Sequence, residues 1–233
     1  MEVLDSIPVT LDIGEVLKQS RLRKKNASVE ETVRELIETA KVVARPKAVY
    51  EVAYVENKNG DSLSIGGVRF TSRVLRVNLD KVERVFPYVV TCGVELDGVT
   101  VPPDDPVKGF YLDVIKRMVL RAARKHLESY LTRRYALGQM SAMSPGSLED
   151  WPITQQKELF SVFGNVENLI GVTLTESCQM LPLKSVSGIY FPTEVKFESC
   201  QLCPREKCIG RRAQYDPELV KKYDLTAQAV VRQ

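Results

Sequence analysis

An α+β fold is what this sequence predicts, and three observations predict it. Segments with the apolar period of buried helices follow β-branched and aromatic runs in irregular order rather than in strict alternation. The polar break from Asn57 to Gly60 separates two strand-like runs as a hairpin does, which calls for antiparallel pairing. No apolar run approaches the roughly 18 residues that cross a bilayer, so the apolar residues are expected to form a folded core.

The elements follow in order. "TLDIGEVLKQSRLRK" carries a cap at Thr10 or Asp12 and an apolar stripe of Ile13, Val16, Leu17 and Leu22. "SVEETVRELIETAKVVAR" pairs Ser28 with Glu31 as a capping box and places Val33, Leu36, Ile37 and Ala40 along one helix face, with Pro46 ending the run. "KAVYEVAYVENKNGDSLSIGGVRF" reads as a hairpin, and "RVFPYVVTCGVEL" as a further strand. Pro102, Pro103 and Pro106 with Asp104 and Asp105 interrupt the pattern. They divide the chain into an N-terminal helix and strand portion, 1–104, and a second portion, 105–233, unless 1–233 is one domain.

Beyond the prolines, "VKGFYLDVIKRMVLRAARKHLESYLTRRYALG" holds a helical period for almost thirty residues. A helix from about Thr154 to Phe163, a strand through Val172 to Leu174, a strand "KSVSGIYFP" and a terminal helix in "DPELVKKYDL" complete the pattern.

Charge and composition limit the chemistry. The net charge of +3, from 33 basic and 30 acidic residues, is too even to presume a nucleic acid or anionic lipid partner. The basic run Arg121, Arg124, Lys125, Arg133 and Arg134 reads as a solvated helix face before it reads as a docking site for an acidic partner. His126 is the single histidine, so serine-histidine-acid catalysis and sites of several imidazoles are set aside. The acidic amino terminus lacks the features of a secretory signal, and a cytoplasmic location is expected.

In a reducing compartment the cysteines read as a metal or redox site rather than as bridges. Cys200, Cys203 and Cys208 form C-x2-C-x4-C within nine residues. Its two-residue spacing lets one turn aim two thiolates at one ion. Closure to four ligands would draw on Cys178, Cys92 or His126, and Cys178 is preferred because a strand end can bring it to a loop. Zinc and an iron-sulfur cluster both suit such a set, and inert or redox-active thiols are the alternative. Cys92, on a predicted strand, reads as a small buried hydrophobe.

The segment 144–191 adds a resemblance. "SPGSLEDWPITQQKELFSVFGNVENLIGVTLTESCQMLPLKSVSGIYF", followed by "CPREKC" and "GRRAQYD", resembles the activation domain of cobalamin-dependent methionine synthase, especially stand-alone relatives of that domain. It implies an antiparallel, bent β-sheet with flanking helices and a cysteine-rich C-terminal loop. It also implies an accessory or reactivation protein for a corrinoid-dependent methyltransferase, supporting reductive methylation of Co(II) cobalamin with S-adenosylmethionine and an electron from a flavodoxin or ferredoxin. Glu128, Pro145, Gly146, Glu176, Ser177 and Ser185 are the ligand-site residues that the resemblance implies. The family pattern Arg-x-x-Pro-Gly-Tyr has Ala142 and Ser147 here in place of the arginine and tyrosine, which predicts altered or lost S-adenosylmethionine binding. The alternative function is a zinc-stabilised module that meets nucleic acid or a protein through Arg205, Lys207, Arg211 and Arg212.

Overall fold

The computed structural model describes residues 1–20, 27–208 and 210–225. In chain order the elements are β1 (Glu2–Leu4), α1 (Ile13–Ser20), α2 (Ala27–Val43), β2 (Lys47–Tyr50), β3 (Ala53–Asn59), β4 (Ser62–Ile65) and β5 (Val68–Thr71). Then come α3 (Arg73–Asn78), β6 (Arg84–Thr91), α4 (Val94–Asp97), α5 (Pro106–Arg134) and β7 (Met140–Met143). The remainder is α6 (Gln156–Ser161), α7 (Val166–Ile170), β8 (Thr173–Leu174), β9 (Met180–Leu181), β10 (Ser185–Pro192) and α8 (Pro217–Lys222). Two compact units result: Met1–Tyr50, Val89–Arg134 and Asn165–Val186 form the first, and Glu51–Tyr88, Tyr135–Gly164 and Ser187–Gln233 the second. Each unit draws on chain from both sides of Asp104.

The first unit is built on helices. Asp12 accepts the N–H of Glu15 at 2.9 Å and so caps α1, the second of the two caps the sequence offered. Val16 and Leu17 are buried as expected, whereas Leu22 lies outside the described residues. On α2 all four positions of the predicted stripe, Val33, Leu36, Ile37 and Ala40, are buried. Ser28 already lies inside this helix, which begins at Ala27, so its predicted place at the cap is corrected. These faces meet Tyr111, Val114, Ile115 and Val119 of α5 in one apolar cluster with Cys92 and Leu96. Each fully buried aliphatic side chain there stabilises the fold by about 1.5–3 kcal/mol. Burial pushes the Cys92 thiol up to about 11, as suits an inert core residue.

At the other end of this unit, β1 pairs antiparallel with β2, Glu2 opposite Tyr50. The Glu2 carboxylate accepts the hydroxyl of Tyr130 and, at 2.6 Å, that of Tyr50. Those two donors, Tyr130 first, hold its carboxyl below the usual carboxylate range. A depressed folded-state value contributes stability that is present above the unfolded carboxylate value and is lost as pH falls through the folded one. Glu2→Gln is therefore expected to flatten the acid limb of the stability profile, read as denaturation midpoints between about pH 6 and pH 2.

The second unit holds an antiparallel meander. β3 pairs with β4, β4 with β5, and β3 with β6. The break at Asn57 to Gly60 is the predicted hairpin turn, with Asn57 and Gly60 at positive φ. A second, unpredicted hairpin turns on Gly66 and Gly67, whose φ of 57° and 81° match a two-residue primed turn between Ile65 and Val68. β7 pairs with β10, Met143 opposite Ile189 and Ala142 opposite Tyr190. The core gathers Phe70, Trp151, Leu63, Ile189 and Phe191, with Phe70 and Trp151 edge to face. α3 is capped twice: Ser72 accepts the N–H of Leu75 at 3.0 Å, and Asp150 accepts those of Arg73 and Val74 at 3.2 and 3.0 Å.

No helix of the described residues is long and apolar enough to cross a membrane.

Candidate functional site around the Pro-Gly turn and the cysteine loop

The Pro-Gly turn in the second unit is fixed by backbone chemistry. Gly146 sits at φ 77° and donates its N–H to Trp151 O at 2.7 Å. A Cβ there would lie 2.8 Å from Ile153 Cδ1, so conformation and space both favour glycine. Pro145 is buried. Ser147 folds back, its hydroxyl donating to Ser144 O at 2.6 Å. Its single proton is thereby used, so the Ser199 hydroxyl, 3.3 Å away, donates to it. That contact ties the turn to the cysteine loop.

Beside the turn lies a cavity of about 490 Å³, lined among others by Ser147, Asp150, Leu202, Cys203, Tyr215 and Leu225. The volume lies within the range of small-molecule sites. Asp150 is already engaged by α3, so its carboxylate is held at the wall in a fixed orientation.

The cysteine loop is organised by arginine. Ser199–Gln201 form a 3-10 turn closed at both ends, with Gln201 capping Glu198 in a box. Cys203 N–H then bonds Cys200 O at 3.3 Å. The Arg211 guanidinium donates to the carbonyls of Cys200 at 3.1 Å, Cys203 at 3.2 Å, Ala213 at 3.2 Å and Arg205. Arg212 pairs with Glu198 at 3.2 Å, and its backbone N–H reaches Cys200 Sγ at 3.5 Å. Of the four cations read as facing phosphate, Arg211 and Arg212 thus serve the loop itself.

Four placements bear on the metal reading. Cys208 is exposed, Cys203 packs against the core cluster, and Cys200 accepts hydrogen bonds at its sulfur. Cys178 is buried in the first unit at φ 62°, in a turn where its N–H bonds Thr175 O at 2.9 Å. Among the described residues no group of three or more His, Cys, Asp or Glu side chains is gathered as a metal ion requires. Among the described residues, then, nothing gathers these thiols for zinc or an iron-sulfur cluster.

The remaining residues named for a ligand lie in the first unit. Glu176 and Ser177 are exposed on the β8 to β9 turn, where the Thr175 and Ser177 hydroxyls are 3.0 Å apart. Ser185 donates to Pro182 O at 2.7 Å and lies 3.0 Å from the Thr91 hydroxyl, a role in joining chain segments. Glu128 lies half-buried on α5 and lines a shallow groove with Lys125, Ser129, Thr132 and Arg133. His126, next to it, is half-buried on the same helix, as the sequence suggested.

Reading by residue type missed Asp150, and it named Arg211 only as a cation facing phosphate. Both act on backbone groups, which have no signature in sequence, although the run "GRRAQYD" marks the segment.

Comparison with known proteins gives one family match and a fold match. Residues 120–206 match the family model described as vitamin B12 dependent methionine synthase, activation domain. No curated protein matches the chain. A crystal structure of the MetH reactivation domain bound to AdoHcy matches with a TM-score of 0.54, over 85% of this chain and 81% of that one, at 17% identity. Residues 120–206 thus carry the sequence pattern of the vitamin B12-dependent methionine synthase activation domain, and the chain has the mixed helix and antiparallel sheet fold of a reactivation domain.

Proposed function

We propose that this protein is an accessory factor that supports reactivation of a corrinoid-dependent methyltransferase, with weakened S-adenosylmethionine binding. What carries the reading is the activation-domain match over residues 120–206 inside a chain that shares the reactivation-domain fold. The partner in this reading is a Co(II) corrinoid protein, and the electron comes from a flavodoxin or ferredoxin. This chain's part is to bind and orient, since positioning is what a protein adds when cofactors carry the bond-making. The arrangement of the thiols leaves zinc and iron-sulfur out of the proposal, and no step passes through them.

Weakened binding follows from Ala142 and Ser147. Ala142 is half-buried on β7 opposite Tyr190 and offers no charge for a carboxylate. Ser147 spends its proton on Ser144. A charge-assisted contact to a carboxylate is worth about 1.5–3 kcal/mol, or roughly 10- to 150-fold in affinity. Ala142→Arg is therefore expected to tighten S-adenosylhomocysteine binding by roughly that factor in calorimetric titration. An unchanged affinity would show that the ligand carboxylate does not sit at this position. For the reactivation role itself, the test is the absorbance change from Co(II) to methylated corrinoid in a mixture of corrinoid protein, reduced flavodoxin, S-adenosylmethionine and this protein. A rate independent of the added protein would end the proposal.

A further inference from the structure

Two thiols of the cysteine loop, Cys200 and Cys203, stand at the two ends of one hydrogen-bonded turn. We propose that Cys200 and Cys203 form a dithiol-disulfide redox couple that exchanges with small disulfides, Cys200 being the attacking thiol and Cys203 the resolving one. The inference concerns the cysteine loop alone and stands or falls independently of the corrinoid reading.

Geometry comes first. Cys200 and Cys203 close one turn through the hydrogen bond from Cys203 N–H to Cys200 O. A turn of four residues brings its end Cα atoms within about 7 Å, and a disulfide spans Cα separations of about 4.4–6.8 Å. The Arg211 guanidinium bonds both carbonyls of the pair at 3.1 and 3.2 Å, so the turn is held without a metal. Cys208, the third thiol of the motif, is exposed and outside this turn.

The two sulfurs differ in environment in the sense that exchange requires. Cys200 is half-buried, and its sulfur accepts the Arg212 N–H at 3.5 Å. Burial pushes its thiol up, but the N–H groups of Arg212 and Ala213 and the Arg212 guanidinium outweigh it, and the net displacement is downward. Cys203 packs against Leu202 and the core cluster and lines the cavity beside the Pro-Gly turn. One thiol thus sits among N–H donors and a guanidinium, and its neighbour on the same turn packs against the core.

The chemistry balances as thiol-disulfide exchange. The Cys200 thiolate attacks one sulfur of glutathione disulfide, forming a Cys200 to glutathione bond and releasing one glutathione thiolate. Cys203, losing its proton, then attacks the Cys200 sulfur, forming the intramolecular disulfide and releasing the second glutathione. The protein dithiol loses two electrons and two protons, and one glutathione disulfide becomes two thiols. Because Cys203 is part of the cavity wall, this reaction draws a wall residue toward Cys200.

The test uses the full-length protein equilibrated anaerobically over a range of glutathione to glutathione disulfide ratios, followed by acid quench, alkylation and peptide mass spectrometry. The expected result is loss of two of the five free thiols, linked as Cys200 to Cys203, and reversal in excess thiol. Cys203→Ser is expected to stop at one glutathione per chain on Cys200, whereas Cys208→Ser should give the wild-type linkage. Three results would overturn the proposal. They are thiols that stay unreactive until a chelator removes about one equivalent of zinc or iron, a linkage through Cys208 or Cys178, or no linkage in the most oxidising mixture.

Discussion

Gly188→Ala is expected to lower the stability of the protein by about 4 kcal/mol, read as the midpoint of denaturant unfolding. A Cβ on Gly188 would stand 2.4 Å from Met143 O, 2.7 Å from Ser144 Oγ and 2.9 Å from Tyr88 Oη. The first of these atoms is backbone, in the strand paired with β10, and cannot rotate away. Relief requires the Met143 to Ile189 register to open, which would disturb the packing of Ile189 and Phe191 against Trp151 as well. Ser187→Ala, one position earlier, is the control. The Ser187 hydroxyl is buried and takes no hydrogen bond among the described residues, so its removal should leave stability within about 0.5 kcal/mol or raise it. A loss below about 1 kcal/mol for Gly188→Ala would mean that the two strands part easily. The glycine of "SVSG" is in this account a packing requirement of β7 against β10, with no ligand needed to explain it.

How much of this was legible in the sequence depends on which atoms do the work. The faces of α1, α2 and α5 were readable because side-chain period is itself the signal: Val33, Leu36, Ile37 and Ala40 are buried for the reason their spacing suggested. Pro106 and Arg134 bound the long helix close to where its pattern begins and fades. β7 was not readable. Its four residues, "MSAM", carry no strand pattern of their own and become a strand through pairing with β10. The same holds for β1, three residues secured by Glu2 against Tyr50 and Tyr130.

The site divides along the same line. The Pro-Gly turn was visible because proline and glycine mark backbone shape directly, and Gly146 does occupy a positive φ. The cysteine motif was visible as spacing, but spacing cannot say whether thiols face one another or face N–H donors. Here backbone partners decide: Cys200 Sγ meets the Arg212 N–H, and the thiols are not gathered for an ion. The paired arginines looked cationic and available in sequence, while in the fold one is turned onto carbonyls and the other onto Glu198.

Arg211→Ala carries the second large effect, and it is local. The guanidinium serves four backbone carbonyls at once, those of Cys200, Cys203, Arg205 and Ala213. Only a planar fork of five N–H donors can span such a set, so lysine, with three donors on a point charge, should recover less than half of the loss. Hydrogen bonds from a charged donor contribute about 1.5–3 kcal/mol each when buried, but this loop is half-exposed and water replaces part of that. A net loss of about 3 kcal/mol for opening the loop is expected, which corresponds to roughly 150-fold faster amide exchange at Leu202 and Cys203. The helices of the first unit should exchange as before. Because the same fork bonds the carbonyls of both Cys200 and Cys203, its loss should also lower the yield of their disulfide at a given glutathione ratio. Unchanged exchange in the variant would show that the 3-10 turn and its Glu198 to Gln201 box hold the loop without help. A changed exchange with an unchanged disulfide yield would separate the clamp from the redox pair.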